Sequence, residues 1–272
     1  MTERKTPSPR DAVKKKRGGV DALRARLSPG EGAGERRLLD LFLTAPVFVA
    51  YHLGVVFLDV RNGFDPITDE MLSVLHRSLP AYLGITGGIG LALFLAIRFT
   101  KVGGTLKPLV FVRRIGEATI YAVLMCLVAR AAVAHTLSVE HVAEAHGPAH
   151  ALSDAAKGQM NPFTAFIMSM GAGFYEELAF RVALFGGGVW LMRRLFRPEG
   201  VKGALLEVLW AVAAAACFSA VHYVGALGDR FQLSSFLFRL VCGLFLTAVF
   251  RLRGFATAVW THALYDVGVM VF

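Results

Sequence analysis

The sequence predicts an all-α protein, a polytopic membrane helix bundle of about seven transmembrane helices. Three observations predict it. Of 272 residues, 55% are hydrophobic and only 18% are charged, with a mean hydropathy of +0.54, too apolar for an ordinary soluble domain. From residue 38 onward, apolar stretches recur that approach the ~20 residues needed to cross a bilayer core. The connections between them alternate between basic and non-basic, as the positive-inside rule requires.

Residues 1–37 form a basic tail with eleven Lys/Arg against five Asp/Glu, which is +6 of the net charge of +9. Its richness in Lys, Arg, Pro, Gly and Ser predicts a disordered cytoplasmic anchor that also touches anionic lipid. No aromatic residue interleaves the basic ones, so nucleic acid is not an expected partner. No short apolar core follows the first few residues, so a cleaved signal peptide is not expected and the first apolar segment acts as a signal anchor.

Residues 38–272 are read as one transmembrane domain. The first span covers about residues 38–60 and contains Pro46 and His52, the latter expected to face other helices. A polar loop with Asp65, Asp69 and Glu70 follows. The second span, about 81–99, carries Gly84 and Gly88 in a small-residue pattern that lets helices approach. Arg98, Lys101, Lys107, Arg113 and Arg114 then occur with no acid among them. The third span is about 115–137, with Arg130 near enough to its end to reach the interface. Residues 138–162 are the longest loop. His135, His141, His146 and His150 fit no compact zinc spacing and are read as solvated.

The fourth span, about 163–192, is long enough to tilt or protrude, and Arg193, Arg194, Arg197 and Lys202 come after it. The fifth is about 204–223, the sixth about 232–250 with Arg239 inside, and the seventh 254–272 with His262 and Asp266 inside. Cys126, Cys217 and Cys242 lie within spans at wide spacing and suggest no disulfide framework. The charge pattern places the N-terminus in the cytoplasm and the C-terminus outside, for an integral protein of a bacterial inner membrane.

Chemistry concentrates in the later spans. Glu176, Glu177 and Arg181 sit within Gly171–Arg181, flanked by apolar residues on both sides. Each ionisable residue at such a depth costs roughly 2.5–3.5 kcal/mol on insertion scales, so it is generally kept for function. Glu177 and Arg181 are four apart and share a helix face, whereas Glu176 points about 100° away and is free to face a cavity. Phe218 and His222 are also four apart, as are His262 and Asp266. Taken singly, each pair reads as an ion pair, an interface residue or a helix–helix hydrogen bond. Together they supply a carboxylate and two histidines on three spans, the groups needed to activate a water. The same Glu176, His222 and His262 are the residues that would ligate a zinc ion.

The motifs Glu176-Glu177-Leu-Ala-Phe-Arg181, Phe218-Ser-Ala-Val-His222 and His262-Ala-Leu-Tyr-Asp266, in this order on successive apolar helices, resemble the CPBP family of intramembrane proteases. That family includes CAAX-prenyl endopeptidases and bacterial Abi-type proteins. The segment from Arg239 to Gly243 is similar too, and the resemblance covers about residues 160–272. It implies a protease-like core there that hydrolyses a peptide bond of a membrane-anchored protein or peptide. Carried over, Glu176 activates the water, His222 helps hold it, His262 and Asp266 form the oxyanion side, and Glu177, Arg181 and Phe218 support the site.

The last motif residue is often Asn in the family. The expectation here is that Asp266 is either protonated or paired with Arg239 or His262. There is no HExxH zinc-protease motif and no GxSG serine motif, and the segment Gly225 to Asp229 is only superficially like GxGD. A glutamate mechanism without a cofactor is favoured over zinc. His222 near the outer end of its span suggests a site open to the outside, suited to trimming an exported protein's C-terminal anchor. The competing reading is a non-catalytic scaffold or an ion/proton-coupled transporter, which would use these residues as a relay.

Overall fold

The computed structural model describes residues 33–58, 80–88, 108–137, 161–197, 200–225 and 228–271, together with Ser78 and Leu91. The described chain is helical. α1 is Ala33–Leu58 and α2 is Pro108–Thr136. α3 is Pro162–Glu177, followed without a break by a ten-residue π-helix, Leu178–Gly187, and by α4, Gly188–Leu195. α5 is Gly200–Val221, α6 is Leu233–Arg253 and α7 is Phe255–Met270. Residues 80–88 are also helical. Residues 1–32 of the basic tail, most of the second span and His141, His146 and His150 lie outside the described residues; the last five tail residues, expected to be disordered, instead form the first turn of α1.

The helical bundle agrees with the expected fold class, and the elements separate by environment. Among the described residues, three helices are long and apolar enough to cross a membrane: Leu109–Thr136, Gly200–Val221 and Leu233–Arg253, with Leu39–Val55 a shorter apolar helix. Two of them expose apolar side chains, among them Ile120, Val123 and Leu127 on α2 and Leu205, Val208 and Leu209 on α5. Such continuous apolar exposure suits a lipid surface.

α7 is different. Its sixteen residues reach only about 24 Å at 1.5 Å per residue, and it packs against α1, α2, α3 and α6. Ala256, Ala258, Val259, Thr261 and Ala263 are fully buried. A helix apolar on every side is what an interior position demands, so the seventh predicted span is the bundle's central post.

Local chemistry explains where the site-bearing helices begin and meet. Pro162 opens α3 at a position where its missing N–H costs nothing, and the Asn161 side chain accepts from the Phe163 N–H at 2.8 Å. Gly254, at φ +98°, makes the turn between α6 and α7, and Asp40 of α1 accepts from the Ala256 N–H at 3.3 Å. Gly173 lets α3 and α7 touch, since a Cβ there would stand 2.7 Å from the Ala263 Cβ and 2.8 Å from the Val259 carbonyl oxygen. Gly173→Val is therefore expected to push these helices apart. Thermal unfolding in detergent should report a loss of about 1–3 kcal/mol, typical of overpacking, together with loss of activity.

Candidate active site

The site is built where α3, α5 and α7 converge. Glu176 and Glu177 end the regular part of α3, and Arg181 lies within the π-helix that comes next. All three are at least 94% buried, Glu177 completely. As neighbours on one helix, the two glutamates diverge. Glu177 turns toward α7 and Glu176 toward both histidines.

Glu177 is a junction. Its Oε1 lies 3.1 Å from Arg181 Nη1, which is the expected four-residue pair. The same Oε1 accepts from His262 Nδ1 at 2.8 Å. Spacing along the sequence foresaw the first contact and not the second, which crosses from α3 to α7. Phe218 of α5 completes this support. Its ring faces the Arg181 guanidinium at 4.3 Å and stands edge-on to His222 and His262 at 5.1 and 5.9 Å between centroids. A guanidinium over an aromatic face is attractive, more so away from water.

Both histidines are held at one nitrogen and present the other. His222 Nδ1 donates to the Phe218 carbonyl at 2.7 Å. His262 Nδ1 donates to Glu177. The two Nε2 atoms stand 3.7 Å (His222) and 3.9 Å (His262) from the same Glu176 oxygen, Oε2. That oxygen is buried and has no hydrogen-bond partner among the described residues. Asp266 Oδ2 lies 3.6 Å from His262 Nε2.

Of the two cations considered for Asp266, His262 is the one that faces it. Arg239 is engaged elsewhere, donating from Nη2 to Asp229 at 2.6 Å and from Nη1 to Ser235 at 2.9 Å. The Arg239–Asp266 alternative is thus corrected, because the guanidinium is committed to the loop carboxylate of Asp229.

Glu176, His222 and His262 were the residues named for zinc. Two ligands of a tetrahedral zinc at ~2.0–2.1 Å stand about 3.3 Å apart, closer than the 3.7 and 3.9 Å separations here. Among the described residues, no group of three or more His, Cys, Asp or Glu is arranged to hold a metal ion. The donor set does not fit zinc in this arrangement.

Two features of the surroundings had no clear signal in the sequence. The π-helix after Glu177 is one; π segments recur at functional sites, and the only hint was the run Gly186-Gly187-Gly188. Trp210 on α5 donates to the Leu184 carbonyl within it at 3.0 Å, tying α5 to this segment. The other is a buried clamp: His52 of α1 bonds the Tyr175 hydroxyl at 2.7 Å and the Tyr82 hydroxyl at 2.6 Å. It confirms that His52 faces other helices, and it fixes the residue beside Glu176.

Residues 158–268 match the family model described as "Rce1-like: Type II CAAX prenyl endopeptidase Rce1-like". No curated protein and no solved structure gives a significant match to the chain. The matched segment contains Glu176, Glu177, Arg181, Phe218, His222, His262 and Asp266.

Proposed function

We propose that this chain, whose residues 158–268 match the Rce1-like family model, hydrolyses a peptide bond near the C-terminus of a membrane-anchored protein with a water activated by Glu176. The family match supports a CAAX-type intramembrane endopeptidase in general terms. One observation carries the finer reading. Among the described residues Glu176 Oε2 is buried without a hydrogen-bond partner, and two Nε2 atoms face it at 3.7 and 3.9 Å. These separations are too long for direct hydrogen bonds and are suited to a water oxygen that touches all three.

In this reading Glu176 Oε2 takes a proton from the water as general base. His222 Nε2, whose Nδ1–H is committed to the Phe218 carbonyl, accepts the water's other hydrogen and orients it. The nascent hydroxide attacks the scissile carbonyl carbon, and the carbonyl oxygen becomes an oxyanion. His262 already donates Nδ1–H to Glu177, so it stabilises that oxyanion from Nε2 only as an imidazolium. Asp266, whose Oδ2 lies 3.6 Å from Nε2, then acts as the imidazolium's counter-charge rather than as a partner of the oxyanion. When the tetrahedral intermediate collapses, the C–N bond breaks and Glu176 returns its proton to the leaving amine.

Asp266→Asn tests that division of labour. Glu177 still holds Nδ1 in the variant, so kcat is expected to stay within about tenfold of wild type, the lower range for a supporting group. Loss of all activity would mean that the carboxylate itself takes part in the reaction.

His222 lies at the end of α5 opposite to Lys202, so the site is proposed to open on the non-basic side of the membrane. C-terminal proteomics of membranes with wild type or Glu176→Ala tests the function as a whole. The proposal expects membrane-anchored proteins with uncut C-termini in the variant. Identical C-termini in both would refute it.

A further inference from the structure

We infer that Asp229 and Arg239 form a latch that positions His222 for the reaction proposed above, and the inference rests on that reading of His222. His222 stands just beyond Val221, the last residue of α5. No further helical turn holds it there. Its own N–H reaches only the Ser219 carbonyl, at 3.3 Å, in a loosening last turn.

The chain beyond His222 folds back to fix this end. The Asp229 backbone N–H donates to the His222 carbonyl at 2.9 Å, closing the loop upon it. The Asp229 carboxylate in turn accepts from Arg239 Nη2 at 2.6 Å. Arg239 sits on α6, only 3% exposed, with Nη1 donating to Ser235 at 2.9 Å and its guanidinium 5.2 Å over the Tyr223 ring. On the other side of His222, Ser219 Oγ donates to the Phe236 carbonyl of α6 at 2.8 Å. The frayed end of α5 is thus tied to α6 on both sides of the histidine. The Asp229–Arg239 tie is a charge-assisted bond, the stronger kind.

The ring depends on that tie. Its Nδ1 is fixed to the Phe218 carbonyl one turn back, so the backbone at 222 decides where Nε2 stands relative to Glu176. Among the described residues the Asp229 side chain bonds Arg239 and none of the reacting groups, which makes it a positioning residue. This gives Asp229 a role that its superficial GxGD setting does not suggest.

The test uses the full-length protein purified in detergent. Removing one charge alone would leave its partner buried and unpaired, so the main variant is the double substitution Asp229→Ala/Arg239→Met, which removes both. Arg239→Lys keeps the pair. The first readout is the rate of diethyl pyrocarbonate modification of His222 by mass spectrometry, with the exposed His135 as internal reference. The second is kcat and KM on a farnesylated CAAX peptide.

The double variant is expected to modify His222 several-fold faster than wild type. Its kcat should fall about 10- to 100-fold with KM little changed, the range for loss of a supporting shell. Its unfolding midpoint should stay near that of wild type, and Arg239→Lys should recover most of kcat. A modification rate equal to wild type overturns the latch. So does a raised KM with kcat intact, or a kcat that falls only as far as stability does. If wild type leaves the peptide uncut, it is the CAAX-type substrate that fails, and the modification rate still decides the latch.

Discussion

Glu176→Gln is expected to lower kcat by about 10²–10⁴-fold, the range for a lost general base, while leaving KM and the unfolding midpoint near wild type. The amide matches the carboxylate in shape and differs in being unable to take a proton. The fold should tolerate it, because among the described residues Glu176 Oε2 holds no hydrogen bond and its polar neighbours are ring nitrogens at 3.7 and 3.9 Å. Steady-state kinetics and thermal unfolding on the same preparation read both quantities. A kcat within about tenfold of wild type, well short of a lost base, would move the base to another residue.

Glu177→Ala is expected to damage stability and activity together. Arg181 is 1% exposed, and Glu177 is the carboxylate it pairs with at 3.1 Å. Removing one partner of a buried pair typically costs about 3–5 kcal/mol, because the other charge stays buried without compensation. The Phe218 face at 4.3 Å offsets only part of this, since a cation–π contact contributes about 2 kcal/mol when desolvated. His262 Nδ1 also loses its acceptor. The double variant Glu177→Leu/Arg181→Met separates the two effects. It should regain most of the stability, because apolar residues of similar volume replace a buried pair at little cost. It should not regain activity, because His262 is still unheld. A double variant that is both stable and active would reduce the pair to a helix staple.

Much of the site was legible in the sequence for a physical reason. Buried charge in an apolar segment is costly, so Glu176, Glu177, Arg181, His262 and Asp266 stand out against their surroundings without any structure. Four-residue spacing reads within one helix, and it foresaw Glu177–Arg181 and the shared face of His262 and Asp266. Spacing says nothing about register between helices. The bond from Glu177 to His262 spans 85 positions and appears only when α3 meets α7 across Gly173.

The same limit hid the Asp229–Arg239 tie, so Arg239 stood beside His262 as one of two possible partners for Asp266. It also hid the special place of α7. A helix that is apolar all round reads alike whether lipid or protein surrounds it, and only the packing shows that α7 is interior. The π-helix was hidden because its ten residues have the same apolar composition as an α-helical span.

The central claim is that Glu176 activates the water for peptide-bond hydrolysis without a metal. The most direct measurement is cleavage of a farnesylated CAAX peptide by the purified full-length protein in a strong chelator, with wild type and Glu176→Ala side by side. Wild type is expected to cut the peptide in chelator, and Glu176→Ala to leave it intact. Activity lost in chelator and restored by zinc would contradict the claim, as would a Glu176→Ala protein that cuts at the wild-type rate.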